Sequence, residues 1–316
     1  MASMITMFLQ SAYSMIDGLF VSNLIGDTAL SAVNVAWPII AVVTAIGTGV
    51  GCGGAVMMST KQGEGKNEES NIVRANVILA LLASSIVVTI LFLILLTPLL
   101  KLMGAEGELL RLSQIYGRVM LTGGVLQILS CGLTPLLRND NRAVSAMMIM
   151  VGGLFANLGL DFVFMYVFHM GIGGAAGASL CAQLFTTVCC LMILCTKKTD
   201  PIRFSQFIIR KEYWKKIFKT AVSPFGISLT PSLLILYHNV ACLKFGGDLA
   251  VNAYALISST VGSYRVLLIG VAEGIQPLAS YAYGAHDFHA IRKIRNKAVI
   301  TAMGVSFFLF IFTIAT

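Results

Sequence analysis

Charge is what this sequence has least of. Only 11% of its 316 residues are Asp, Glu, Lys or Arg, less than half the share of a soluble domain and too few to coat a water-facing surface. Polar interruptions are scarce as well: apolar stretches run over about 77–100, 143–168 and 174–196, each near the ~20 residues that carry a helix across the hydrocarbon core. The stretches are continuous rather than alternating, and backbone in lipid must satisfy its own hydrogen bonds. The fold class is therefore all-α integral membrane. Motifs for catalysis and metal binding are missing too. No HExxH or GxSxG occurs, and His169, His238, His286 and His289 are scattered, which argues against an intramembrane enzyme. The cysteines (Cys52, Cys131, Cys181, Cys189, Cys190, Cys195, Cys242) all lie in apolar segments without CxxC spacing, so they read as small packing residues rather than metal ligands or disulfides. The start of the chain lacks a basic n-region and an A-x-A site, so no cleavable signal peptide is expected.

What is present is a regular succession of spans. The apolar pattern predicts nine, at about 3–23, 30–58, 76–98, 110–136, 143–168, 173–196, 216–243, 250–282 and 293–316. The net charge of +8 does not point to nucleic acid, because the basic residues sit in alternate loops. Seventeen Lys and Arg lie in or beside the breaks after the second, fourth, sixth and eighth spans, against Lys101, Arg111 and Lys244 in the others. By the positive-inside rule the richer side is cytoplasmic, which puts the first residue in the cytoplasm.

The longest break, 197–215, is basic and carries Phe204, Phe207, Ile208 and Trp214 among its charges. It reads either as an amphipathic segment lying in the cytoplasmic interface or as a solvated linker. It also separates two copies of a repeat. Shifted by 221 residues, Gly26-Asp27-x-Ala29-x-x-Ala32 falls on Gly247-Asp248-x-Ala250-x-x-Ala253. The same shift lays Gly49-Val50 on Gly270-Val271, Gly53 on Gly274, Ser59 on Ser280, Gly63 on Gly284 and Arg74 on Arg295. Six spans lie between the copies. An even number predicts parallel repeats, related by an axis along the membrane normal, as in several transporters.

Several motifs recur together. They are Tyr13-x-x-x-Asp17-x-x-Phe20-Val21, Gly26-Asp27-x-Ala29-x-x-Ala32-Val33, Gly47-x-Gly49-x-Gly51 and Leu137-Arg138-Asn139-Asp140-Asn141. Further along stand Asn157-x-x-x-Asp161, Gly171-x-Gly173-Gly174-Ala175-Ala176-Gly177-Ala178, Glu273-Gly274-Ile275-Gln276-Pro277 and Tyr283-Gly284-Ala285. As a set they resemble the multidrug and toxic compound extrusion (MATE) family, in its bacterial drug-exporting branch. The resemblance implies a two-lobe bundle of twelve helices. About nine are expected here: a first six-helix lobe over 1–196, a linker over 197–215 and an incomplete second lobe over 216–316, as in a shortened chain. It implies a monomeric multi-pass protein of the inner (plasma) membrane, an antiporter coupled to Na⁺ or H⁺. The implied partners are the bilayer and lipophilic, often cationic, small molecules; no cofactor is expected beyond the coupling ion. A lipid-linked precursor flippase is the alternative, though the first six spans offer few cationic side chains for an anionic headgroup.

Asp17, Asp161 and Glu273 are the carboxylates that fall clearly inside spans, where a charge costs at least ~2.5 kcal/mol and marks function by default. Asn157 and Asp161, four apart, share a helical face; Gln10, Tyr13, Ser14 and Asp17 make a polar stripe on the first span. By resemblance, Asp17, Asn157, Asp161 and Ser179 form the cation-coupling site, with Na⁺ or H⁺ between the acids; the competing reading is that the acids only fix packing. Glu273 either neutralises Arg265 two turns earlier or attracts cationic substrates. Arg118 is expected to snorkel to the outer interface. The glycines at 47, 49, 51, 53 and 54 read as close-packing positions, since no GK[ST] follows them.

Overall fold

In a computed structural model, residues 7, 9, 20, 21, 24–195 and 206–315 are described. Eight α-helices account for nearly all of them: α1 (Asp27–Gly63), α2 (Asn67–Leu102), α3 (Gly107–Thr122), α4 (Gly124–Asn139), α5 (Ala143–Asp161), α6 (Gly171–Cys195), α7 (Lys211–Gly284) and α8 (Phe288–Ala315). A π-helical turn, Phe162–Val167, extends α5. Helices α1, α2, α5 with its π turn, α6 and α8 are each long and apolar enough to cross a membrane.

Two expected boundaries change. The span expected over 110–136 is α3 and α4, bent by 57° at Gly123. A side chain there would run into Leu180 of α6, so glycine lets α6 come close at the bend. The break frees the Met120 carbonyl, and the fully buried Gln127 donates its Nε2–H to it at 2.7 Å. The second change concerns the linker. Its described part, 206–210, is not an α-helix, and residues from Lys211 onward already belong to α7. Buried Asn76 of α2 holds this stretch with both ends of its amide, donating to the Ile208 carbonyl at 3.1 Å and accepting from the Arg210 N–H at 3.1 Å.

Helix α7 has helical backbone over 74 residues, about 110 Å if straight and over three times the hydrocarbon thickness. It is folded back instead. The rings of His238 and Tyr254 stack with their centroids 5.1 Å apart, where a straight helix would separate those positions by about 24 Å. Both ends of α7 also lie on α1: Ala221 and Phe225 against Gly49, and Tyr281 against Gly63. Between the two arms the chain reverses, with Lys244 exposed near the turn.

Within lipid, helices gain little from hydrophobic burial against each other and associate by close packing. The α1 glycines supply it in three directions. Gly47 and Gly51 meet α4 at Ile128 and Gly132, Gly49 and Gly53 meet α7 at Phe225 and Ala221, and Gly54 meets Val77 of α2. Spacing by four keeps each pair on one face.

The loop-side ends of α1, α2, α4, α6 and α7 converge at one pole, rich in Lys and Arg. Ser59 bonds Asn139 (3.0 Å), Arg142 donates to the last turn of α6 at the Ile193 carbonyl (3.0 Å), and Lys61 pairs with Glu64 and Glu69, both at 2.9 Å. Hydrogen bonds from Lys61 and Lys66 hold the Glu64 carboxyl below the usual range.

Candidate cation site and the polar pairs of the bundle

In α5 the side chain of Asn157 donates its Nδ2–H to Asp161 Oδ2 at 3.0 Å. Asp161 is fully buried and Asn157 nearly so, among residues that are otherwise almost all apolar. The i,i+4 spacing stacks them on one helical face. Asp161 is also the last α-helical residue before the π turn. The turn shows its wider register in the Phe168 N–H, which reaches the Val163 carbonyl five residues back at 3.0 Å. Such single π turns recur at functional sites, because one extra residue re-aims the side chains beside it. His169 and Gly171 then take positive φ values of 51° and 60° and turn the chain into α6.

Helix α6 runs antiparallel beside α5. A side chain on Gly153 would stand 2.7 Å from Thr186 Oγ1, and one on Gly174 would stand 3.2 Å from the Phe164 carbonyl. Asn157 and Asp161 therefore fall at the level of α6 residues between those two contacts, where half-buried Ser179 sits. Asp17, the other acid expected at this site, lies outside the described residues.

Glu273 takes its counter-ion from another helix rather than from Arg265. Its Oε2 pairs with Arg138 Nη1 of α4 at 2.5 Å, with Glu273 80% and Arg138 93% buried as side chains. Arg265, the partner weighed for it on its own helix, is exposed. A second buried pair went unanticipated: Arg74 Nη2 of α2 and Asp140 Oδ1 at the end of α4 lie 2.9 Å apart, both 1% exposed. Gln62 adds a hydrogen bond to the same carboxylate oxygen at 3.3 Å. By sequence Arg74 reads as one of the basic residues beside a loop, whereas it lies buried inside α2. Its signal was the repeat, which matches it to Arg295, and the Arg138-Asn139-Asp140 motif. Arg118 is exposed on α3.

This arrangement is an all-helical membrane bundle with a buried acid–amide pair at a π turn and a repeat that returns in the same sense. Against known proteins, residues 2–163 and 227–316 match the MatE family. The chain belongs to the MATE family. MATE relatives include the multidrug export protein MepA of Staphylococcus aureus strain N315, 25% identical over 310 residues, covering 96% of this chain and 67% of the relative. MepA of Staphylococcus saprophyticus is 24% identical over 282 residues, covering 89% of this chain and 62% of the relative. The chain thus spans about two thirds of the length of these relatives. A MATE crystal structure in complex with MaL6 aligns at a TM-score of 0.93 and 26% identity, over 98% of this chain and 69% of that one. An outward-facing multidrug resistance MATE transporter aligns equally well, with the same TM-score, identity and coverage.

Proposed function

We propose that this MATE protein is a cation-coupled antiporter that exports lipophilic, often cationic, small molecules, with Asp161 and Asn157 as the described half of its coupling site. The observation that carries the reading is the fully buried Asp161, hydrogen-bonded to Asn157 at 3.0 Å inside an apolar span. An ionised carboxylate there is costly unless a cation or proton accompanies it. A carboxylate with a neighbouring amide oxygen also offers hard oxygen donors of the kind Na⁺ prefers. Asp17 and Ser179 complete the site in this reading. Exchange requires only that the cation and the cargo favour different states of the bundle.

The same proposal takes residues 1–196 as a six-helix lobe and 216–316 as part of a second, with the basic pole in the cytoplasm and the protein acting as a monomer in the plasma membrane. Basic residues cluster at that pole, as the positive-inside rule requires. The buried arginines of the first lobe are already ion-paired, to Asp140 and Glu273, which leaves no described cationic cluster for a flippase's anionic headgroup.

The test is export of ethidium from proteoliposomes holding the chain, driven by an imposed Na⁺ gradient in one arm and a pH gradient in the other. One arm should drive uphill export and Asp161→Asn should abolish it. Export that proceeds equally without either gradient would refute cation coupling.

A further inference from the structure

The 221-residue repeat reappears as a contact. A Cβ on Gly63 would run into the Tyr281 carbonyl and would also lie 3.0 Å from Gly284 Cα. A Cβ on Gly284 would run into the Thr60 carbonyl. Thr60 and Tyr281 are repeat equivalents, as are Gly63 and Gly284. Each helix end therefore offers its partner the same surface, the reciprocity of a two-fold contact. Thr60 Oγ1 reaches the Ser280 carbonyl across this seam at 3.5 Å. At Gly63 and Gly284 backbone meets backbone, so at these two positions the surfaces can part without unmeshing side chains. Further out along the hairpin, Gly226 and Gly262 have nothing among the described residues within 4 Å of where a side chain would begin.

One charged pair spans the same seam. Arg138 belongs to α4 and Glu273 to the second arm of α7, two turns before Ser280. It has no symmetric twin, because the repeat equivalent of Glu273 is Cys52. Arg138 is also incompletely satisfied: among the described residues its buried Nε and Nη2 have no hydrogen-bond partner. A buried ion pair whose remaining donors are unmet contributes little net stability, because desolvation offsets most of the attraction. A static core has little use for such a pair. A surface that must open has one: on parting, both groups return to water, while in contact they tolerate only one register.

From this geometry we infer that Arg138 and Glu273 are a releasable latch of the repeat seam at the basic pole, holding Gly63 and Gly284 together in this state. They are positioning residues, acting on the closure of the pathway rather than on cargo. The inference uses the repeat contact and does not depend on which cation or cargo is moved.

The test follows Ser280, 8% exposed at the seam, as a single cysteine in a cysteine-free chain in membrane vesicles, labelled by a membrane-impermeant maleimide from the basic side. No gradient or cargo is added, so failed transport and a failed latch remain distinguishable. Glu273→Gln and Arg138→Gln should each label roughly tenfold faster than the parent, the size of an ordinary coupling between sites. The charge swap Arg138→Glu/Glu273→Arg should return labelling towards the parent rate. A second reporter at Ser70, 1% exposed at the basic-pole end of α2, should stay slow throughout. The latch is overturned by single variants that label no faster, by a swap as fast as the singles, or by Ser70 accelerating in step with Ser280, which would mean general loosening.

Discussion

At the scale of single residues, the polar groups inside this bundle fall into two chemical kinds. Arg74 and Asp140 are both ionised types, both 1% exposed and in contact at 2.9 Å. Removing one leaves the other as an uncompensated buried charge, so Arg74→Met alone and Asp140→Leu alone should each cost about 3–5 kcal/mol. Replacing both should cost clearly less than the sum of the two. Thermal unfolding of the four proteins in detergent, read as a double-mutant cycle, checks this; additive costs would mean the pair does not act as a unit. Asn157 and Asp161 differ because an amide cannot neutralise a carboxylate. Asp161→Asn removes the need for a cation altogether and should leave the unfolding temperature unchanged or raised. A strong destabilisation by Asp161→Asn would favour the packing role over the coupling role.

At the scale of helices, close approach decides which glycines are replaceable. A methyl on Gly51 would collide with the backbone of Gly132, whereas one on Gly117 would meet the Leu96 Cδ1 tip at 2.8 Å, which can rotate away. Gly51→Ala should therefore cost on the order of 1–3 kcal/mol through overpacking and Gly117→Ala much less, as measured by the same unfolding assay. The glycine run was legible in the sequence as packing surface, although not as three separate faces. The Asn157–Asp161 pair was legible too, because i,i+4 spacing fixes a shared face before any tertiary contact is known. The π turn was not: Phe162–Val167 is an ordinary apolar string, and the extra residue per turn leaves no mark in residue type. Nor was the Arg138–Glu273 pair, whose members stand 135 residues apart. The sequence offers Arg265 on the same helix as a partner for Glu273, whereas the fold buries Glu273 against Arg138 of α4. The bend at Gly123 had a signal in the Gly123-Gly124 doublet, hidden by the continuous apolarity around it.

At the scale of the whole molecule, the repeat and the charge asymmetry describe the same frame. Helix α1 and the second arm of α7 end at one pole, where Gly63 meets Tyr281 and Gly284, so the repeats run in the same sense. Arg210 sits at that pole beside Asn76, while Lys244 is exposed by the reversal of α7. Single cysteines at these two positions should react from opposite faces of the membrane, Lys244→Cys from outside intact cells and Arg210→Cys only after permeabilisation. Labelling of both from one face would break the topology. The central claim, that cation and cargo share one transport cycle, has a sharper test in reverse. Coupling free energy is reciprocal, so a cargo gradient must move the cation. Proteoliposomes loaded with ethidium and diluted into cargo-free buffer should take up Na⁺ or H⁺ against no ion gradient, recorded by tracer or by a pH dye, and Asp161→Asn should lose this uptake. Ethidium leaving without cation entry, or cation entry undiminished in Asp161→Asn, would contradict the account.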